Sequence, residues 1–514
     1  MAFNQIAISN FLNKTISMII EMITRMKLNL QHSIFFFLSL IFGLTSCQSS
    51  RSTAQLKEAD DRPNIILFVS DDHGKDALGC YGNPVIKTPN LDQLAEDGTI
   101  FNNAFCTSAS CAASRSVILT GKFGHATGSY GHTHDYHHFS TYETETSLPI
   151  ILEENGYYTA RIGKYHLAPE KVFHFQEVIP GNQRNTVEMA NNVKKVFDKN
   201  EPFFLYFCTG DPHRGESTGP NWDDPNSFGN SKTGYQGVEE ITYTPEEVLV
   251  PSFLPDTKES REELAQYYQS VSRIDTGFGK MMEHLKSSGK LDNTIVIYIS
   301  DNGIAFPGAK TTLYEPGMNL PCIIKNPLLK EQDKVKNEFI SWVDLTPTIL
   351  DWAGVNYPKE QFHGQSFEGV LSGDDVAVRD EIYASHTFHE ITMYYPMRVV
   401  RHQNYKLIFN IASGLEYPFA SDLWVSSTWQ QVYRSNGKYF GKRTVEDYLH
   451  HAEFELYDLE KDPDEIHNLV DSKAHQEVLE TMKKKMKQFQ QDTQDPWKVF
   501  WDKDYSLQGT GLNL

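Results

Sequence analysis

Cysteine is scarce in this chain, with six residues in 514, too few for a scaffold stapled by disulfides. Cations are outnumbered as well. There are 47 Lys and Arg against 67 Asp and Glu, a formal net charge of −20, which repels phosphate backbones and argues against a nucleic-acid partner. The same field repels a polyanion at long range, so attraction for any anion has to come from a local cluster of cations or a metal. No apolar run is long enough to span a membrane. Ile34–Leu44 covers eleven residues, whereas a spanning helix needs about 20. Internal repeats are missing, as are low-complexity tracts outside the N-terminus. What the chain does contain is 12% aromatic and 39% apolar residues. That suits a large core and, at this length, more than one domain.

The short apolar run follows Arg25 and Lys27 and precedes Leu44-Thr45-Ser46-Cys47, the arrangement of a secretory signal peptide. Leu-Thr-Ser-Cys resembles a bacterial lipobox, which implies that Cys47 is the lipidated first residue of the mature chain. Residues 1–47 are therefore expected to be a signal peptide, with Met26 as its true start, and 48–61 a polar tether. The expected location is the bacterial cell envelope, as an exported periplasmic or outer-membrane lipoprotein. The lipid anchor would be its only contact with membrane.

From residue 62 the texture is that of an α/β protein. Asn64–Ser70 is a continuous apolar run that ends in Asp71-Asp72-His73-Gly74, and such a run reads as a buried strand of a mostly parallel sheet. The form recurs at Tyr158–Ile162 before Gly163-Lys164-Tyr165-His166, at Phe203–Phe207 before Gly210-Asp211-Pro212-His213, and at Thr294–Ser300 before Asp301-Asn302-Gly303. Between them, Leu264, Tyr267, Val271, Ile274, Phe278, Met281 and Leu285 fall three or four apart and predict a helix over 259–285. Alternating strands and helices predict a doubly wound sheet over 62–374. After residue 374 the pattern changes to strands near 381–385, 397–401, 405–410 and 455–458, with a basic helix over 473–490. This predicts a smaller α+β domain over 375–514 with an antiparallel sheet.

In open α/β sheets, ligands bind beyond the carboxyl ends of the strands. Four predicted strands end there in Asp, Lys, His or Asn, which points to one shared site. Asp71, Asp72, Asp301 and Asn302 supply only hard oxygen donors and favour Ca²⁺ or Mg²⁺ over zinc. The stretch Cys111-Ala112-Ala113-Ser114-Arg115 opens a short helical run. A helix N-terminus with an Arg fork beside it suits sulfate or phosphate oxygens.

This stretch resembles the signature of the type I, formylglycine-dependent sulfatases, with Ala113 where Pro is usual. Within that family the chain resembles the N-sulfoglucosamine sulfohydrolases, or sulfamidases, over most of residues 62–500. The segments that carry this include Asp211-Pro212-His213-Arg214, Asp301-Asn302-Gly303-Ile304-Ala305-Phe306-Pro307 and Asp344-Leu345-Thr346-Pro347-Thr348. Outside the general signature lie His389-Glu390-Ile391-Thr392-Met393-Tyr394-Tyr395-Pro396-Met397-Arg398 and the loop His134-Asp135-Tyr136-His137-His138-Phe139. From these two, His134, Asp135, His137, His138, His389, Glu390 and Arg398 are expected to bind sugar.

The resemblance implies an alkaline-phosphatase-like sulfatase fold and conversion of Cys111 to formylglycine by a maturase. The missing Pro suggests a radical-type maturase. It also implies one Ca²⁺ held by Asp71, Asp72, Asp301, Asn302 and the modified Cys111. Arg115, Lys164 and Lys310 would neutralise sulfuryl oxygens, His213 with Lys310 would protonate the leaving amine, and His166 would take a proton from the nucleophile. Lys310 stands where the sulfamidases have Arg, keeping the charge but losing the fork. The implied substrate is a non-reducing-end N-sulfoglucosamine of a heparan or heparin fragment. Three readings stay open beside it: an O-sulfatase on another sulfated glycan, a phospho- or phosphono-ester hydrolase of the same superfamily, and a glycan-binding lipoprotein with a dead site. Oligomeric state is not legible.

Overall fold

The computed structural model describes residues 60–215, 227–329, 334–373 and 379–501. The expected signal peptide, Cys47 and nearly all of the expected tether lie outside the described residues, as does the expected boundary at 374/375.

The principal sheet has eight strands: β1 (Asn64–Ser70), β2 (Thr99–Phe101), β3 (Tyr158–Gly163), β4 (Glu177–Ile179), β5 (Phe203–Cys208), β6 (Thr294–Ser300), β7 (Cys322–Lys325) and β8 (Val335–Lys336). They run in the order β4-β3-β5-β1-β6-β7-β2-β8. The first five in that order are mutually parallel, and β7 pairs antiparallel with both β6 and β2. Every residue of β1, β5 and β6 is buried, because helices cover both faces of the sheet. That burial is why these strands read as unbroken apolar runs rather than alternating ones.

Two helices matter most for the site. Helix α1 (Cys111–Thr120) is buried along all ten residues. It ends at Gly121, whose left-handed φ of 63° lets its N–H reach the Val117 carbonyl. Helix α2 (Lys258–Ser287) is the predicted amphipathic helix, one to two residues longer at each end. It starts at Thr257, whose hydroxyl accepts from the Ser260 N–H.

The second sheet is antiparallel and consecutive: β9 (Glu381–His386), β10 (Met397–His402), β11 (Tyr405–Asn410) and β12 (Phe454–Asp458). Helix α3 (Gln476–Asp492) packs Leu479, Met482 and Met486 against Val400, Leu407 and Leu456 of this sheet. Two features depart from the sequence expectation. Three short helices, Ser421–Trp424, Ser427–Arg434 and Val445–Leu449, intervene between β11 and β12. They are too short for helical periodicity to build up in the sequence. The two expected domains also do not separate, since residues from Asp60 onward form one compact unit. A single core cluster joins Ile65 and Ile297 of the large sheet to Ile382, Val399, Trp429 and Tyr457 of the C-terminal part.

The end of β3 shows how tightly the sheet edge is built. Gly163 has φ 83°, and a Cβ there would lie 1.9 Å from the Cys208 carbonyl oxygen. That same carbonyl accepts from the Lys164 N–H at 2.9 Å. Gly163→Ala is therefore expected to lower stability by about 3 kcal/mol through backbone strain and overpacking. Chemical denaturation would measure this, and an unchanged midpoint would contradict the packing described.

Candidate functional site

The order β3-β5-β1-β6 brings four strand ends side by side, and their next residues converge. Asp71 and Asp72 follow β1, Lys164 and His166 follow β3, Asp211 and His213 follow β5, and Asp301 and Asn302 follow β6. Backbone bonds weld the ends together, from the Asp71 N–H to the Asp211 carbonyl and from the Asp301 N–H to the Ser70 carbonyl. Asp72 and His166 both sit at left-handed φ, 69° and 57°, the kind of backbone strain held only where surroundings over-determine it.

Helix α1 delivers the candidate nucleophile. Cys111 is its first residue and is fully buried, with Sγ 3.7 Å from Asp72 Oδ1 and 3.5 Å from Asn302 Nδ2. Burial pushes its thiol well above the ordinary range, so as a cysteine it is protonated and inert. One turn on, Arg115 donates from Nε to Asp301 Oδ2 at 2.8 Å and from Nη1 to the Lys164 carbonyl. Ser114 Oγ donates to the Asp301 carbonyl. The helix is thereby pinned to the end of β6.

Around Cys111 the charges are dense and almost dry. Lys164 Nζ pairs with Asp71 Oδ2. Lys310 Nζ lies 2.9 Å from Asp72 Oδ2, 2.9 Å from His213 Nε2 and 2.8 Å from Asp422 Oδ2. Burial raises Asp72 to about 6 and Asp301 to about 7, against the pull of Lys310 and Arg115. Burial also opposes ionisation of Asp71, but the charges of Lys164, His213 and Arg115 hold it well below the usual range. Burial and the neighbouring lysines lower His213 to about 3.

Three buried polar atoms beside Cys111 have no hydrogen-bond partner, although Asp71 Oδ1 and Arg115 Nη2 form an ion pair at 3.6 Å. Asp71 Oδ1 and Asn302 Oδ1 are acceptors, and Arg115 Nη2 is a donor. Lone oxygen acceptors beside Asp72 and Cys111, which with Asp71 bring one atom each within 4.8 Å of one another, suit a hard cation. A guanidinium N–H whose carboxylate neighbour stands at 3.6 Å, beyond hydrogen-bond reach, suits a closer anion. The donor set fits a hard divalent cation such as calcium. Asp301 is engaged differently from the other carboxylates: its Oδ1 already accepts from the Asp72 and Asn302 N–H groups.

The remaining expected residues divide. His166 Nε2 meets His132 Nδ1 at 2.8 Å and His134 Nδ1 at 2.6 Å. His132 Nε2 meets His389 Nε2 at 2.8 Å, and His389 Nδ1 meets Ser110 Oγ at 2.9 Å. A chain of imidazoles thus runs from the residue before Cys111 to His134 at the surface. His389 is buried inside that chain rather than exposed to a ligand. His137 accepts from the Ile391 N–H, and Glu390 accepts from the Ser421 N–H and hydroxyl, so both brace loops. Asp135 and His138 are exposed; Asp135 Oδ2 lies 3.6 Å from His134 Nε2 at the outer end of the imidazole chain.

Arg398 is a correction. It is fully buried, its Nε and Nη2 are bonded to Asp495, and its Nη1 is bonded to the His386 and Met397 carbonyls. It fastens β10 to the residues after α3 and does not reach the site.

Sequence reasoning missed His132 and Asp422. His132 lies two residues before the His-rich loop that was singled out, so its neighbourhood was a signal. Asp422 is 112 residues beyond Lys310 in an ordinary Ala-Ser-Asp-Leu-Trp stretch and carries none.

A family model described as Sulfatase matches residues 63–355. A second, described as N-sulphoglucosamine sulphohydrolase, C-terminal, matches 308–419 and 438–492. The chain is similar to the N-sulphoglucosamine sulphohydrolase of Homo sapiens, at 35% identity over 84% of this chain and 91% of that one. It is 26% identical to the N-acetylglucosamine-6-O-sulfatase of Bacteroides thetaiotaomicron, over 88% and 90% of the two chains. The fold is shared with the solved structure of BT4656 in complex with its substrate D-glucosamine-2-N,6-O-disulfate. That likeness has TM-score 0.62 at 23% identity and covers 85% of this chain and 99% of that one.

The cation cradle makes a direct prediction. Asp71→Asn keeps the shape and removes one charge, so calcium affinity measured by calorimetry is expected to fall about 100-fold. Unchanged affinity would remove Asp71 from the ligand set.

Proposed function

This chain belongs to the sulfatase family, enzymes that hydrolyse sulfate esters or sulfamates, and from that premise we propose that it removes the N-sulfate of N-sulfoglucosamine at the non-reducing end of heparan- or heparin-derived saccharides. The observation that carries the choice of N-sulfate is the 35% identity, spanning most of both chains, to an N-sulphoglucosamine sulphohydrolase. The C-terminal family match to the same class supports it. The relative described as a 6-O-sulfatase is more distant, at 26%.

In this reading Asp71, Asp72, Asp301 and Asn302 hold one Ca²⁺, which would offset their crowded negative charge and polarise the bound sulfuryl group. Cys111 is converted to formylglycine by a maturase, which would supply a hydrated aldehyde as nucleophile where the thiol is inert. The chain's own residues do the rest. Arg115, through Nη2, which makes no hydrogen bond and only a 3.6 Å ion pair with Asp71, and Lys164 hold sulfuryl oxygens beside Cys111, where burial strengthens such contacts. Lys310 adds a third positive charge and is the proton donor beside the departing nitrogen. His213 keeps Lys310 in place. Its Nδ1 faces the Arg214 carbonyl at 2.8 Å, an acceptor only, so Nδ1 carries the proton and Nε2 accepts from Lys310. His166 receives a proton on the opposite side, with the imidazole chain behind it as the route outward.

Full burial of Cys111 supports action at chain ends, because an internal sugar flanked on both sides by chain brings its sulfate to a dry position less easily than a terminal one. Export and lipidation at Cys47 complete the proposal. They place the enzyme where extracellular glycan fragments arrive.

The test is sulfate release by protein produced together with a maturase, comparing N-sulfoglucosamine with glucosamine 6-sulfate. A kcat/KM at least about 100-fold higher for the N-sulfated sugar is expected. Equal or reversed preference would make the enzyme an O-sulfatase, and turnover of a phosphate diester alone would make it a phosphohydrolase.

A further inference from the structure

The buried and exposed sides of the site are not equivalent. Cys111, Arg115, Asp72, Asp301 and Lys310 are dry, whereas the side chains of His213 and Asp422 are 26% and 19% exposed and that of Lys164, on the other flank, 14%. A sulfated sugar whose sulfur lies at Cys111 has to leave its ring on the exposed side. The His213 and Asp422 flank is the more exposed and carries Lys310, the proton donor of the proposed chemistry, so on this side the atom that bridges sulfur to sugar falls next to His213, Lys310 and Asp422. Two of these groups are explained by the proposed chemistry and the third is not.

Asp422 comes from the C-terminal part of the chain, at the second position of the short helix Ser421–Trp424. The segment between residues 419 and 438 lies between the two blocks matched by the C-terminal family model. It is nevertheless firmly held. Glu390 accepts from the Ser421 N–H at 2.8 Å. Buried Glu263 accepts from the Ser427 and Thr428 N–H groups and from Arg214, the residue after His213. One buried carboxylate thus ties the Asp422 segment to the His213 loop and fixes their spacing. Asp422 Oδ2 lies 2.8 Å from Lys310 Nζ and 3.7 Å from His213 Nε2.

We propose that Asp422 reads the bridging atom and selects sulfamates over sulfate esters. The inference rests on the proposed N-sulfate reading and adds the residue that enforces it. A sulfamate bridges through N–H, a hydrogen-bond donor, whereas an ester bridges through oxygen, which is an acceptor only. A carboxylate fixed beside that atom accepts from the first and repels the lone pairs of the second. The net reaction is R–NH–SO₃⁻ + H₂O → R–NH₃⁺ + SO₄²⁻. The S–N bond breaks, nitrogen keeps the electron pair and gains two protons, and sulfur gains the water oxygen. The new ammonium then faces Asp422, while an alcohol product gains no ion pair there.

The experiment measures kcat/KM of the matured, calcium-loaded enzyme and its Asp422→Asn variant on N-sulfoglucosamine and on glucose 2-sulfate, an alkyl ester whose leaving oxygen needs a proton as the nitrogen does. The variant is expected to lose about 100-fold on the sulfamate and less than about tenfold on the alkyl ester, so that the ratio of the two moves. If Asp422 only positions Lys310, both substrates lose in the same proportion, and that outcome overturns the inference while leaving the parent reading intact. A wild-type enzyme inert on the sulfamate overturns the parent reading and this one with it. Should the variant not fold, wild-type product inhibition decides. Glucosamine is expected to inhibit at least about tenfold more tightly than glucose, since only the former brings an ammonium to the carboxylate, and equal inhibition would overturn the proposal.

Discussion

Everything in this protein is arranged around a problem of buried charge. Asp71, Asp72 and Asp301 stand together at the ends of two adjacent strands, out of water, where an uncompensated carboxylate is very costly. Three permanent cations answer them, each from a different element: Arg115 from α1, Lys164 after β3 and Lys310 from the loop after β6. Asp422 joins as a fourth carboxylate on the exposed side. Even so, Asp71 Oδ1 and Asn302 Oδ1 accept no hydrogen bond, and Asp71 Oδ1 has only the 3.6 Å ion pair with Arg115. The sheet exists in this order because only adjacent parallel strands present their ends, and so these groups, to one another.

The same constraint explains the C-terminal part. A site this dry needs walls, and the loop between β9 and β10 supplies one through His389, bonded to Ser110 at the foot of α1. The short helices between β11 and β12 supply another through Asp422. Neither wall could be held by an independently tumbling domain. The shared core that runs from Ile65 to Tyr457 gives the rigidity that positioning on an ångström scale requires.

Much of this was legible in the sequence because the relevant signals are local. Buried parallel strands are unbroken apolar runs, and strand ends announce themselves by Asp, Lys, His and Asn followed by Gly. Strands β1, β5 and β6 and helix α2 were therefore found to within two residues, and their terminal residues do converge. What was illegible is non-local. Asp422 is defined only by the tertiary contact with Lys310, and His389 by burial against Ser110. Arg398 shares a stretch with His389 and Glu390, but on β10 it is held between Asp495 and the strand-edge carbonyls. Proximity along a motif says nothing about which partner a long cationic side chain finds.

The central claim is that position 111, inert as a buried thiol, is the nucleophile once converted. Mass spectrometry of the proteolytic peptide spanning Ser114 and Arg115, from protein produced with and without a maturase, tests it when read against sulfate release from the same samples. The account predicts an aldehyde at position 111 only in the matured protein, with activity proportional to the fraction converted. Full sulfamate turnover by protein that still carries an unmodified Cys111 would contradict it.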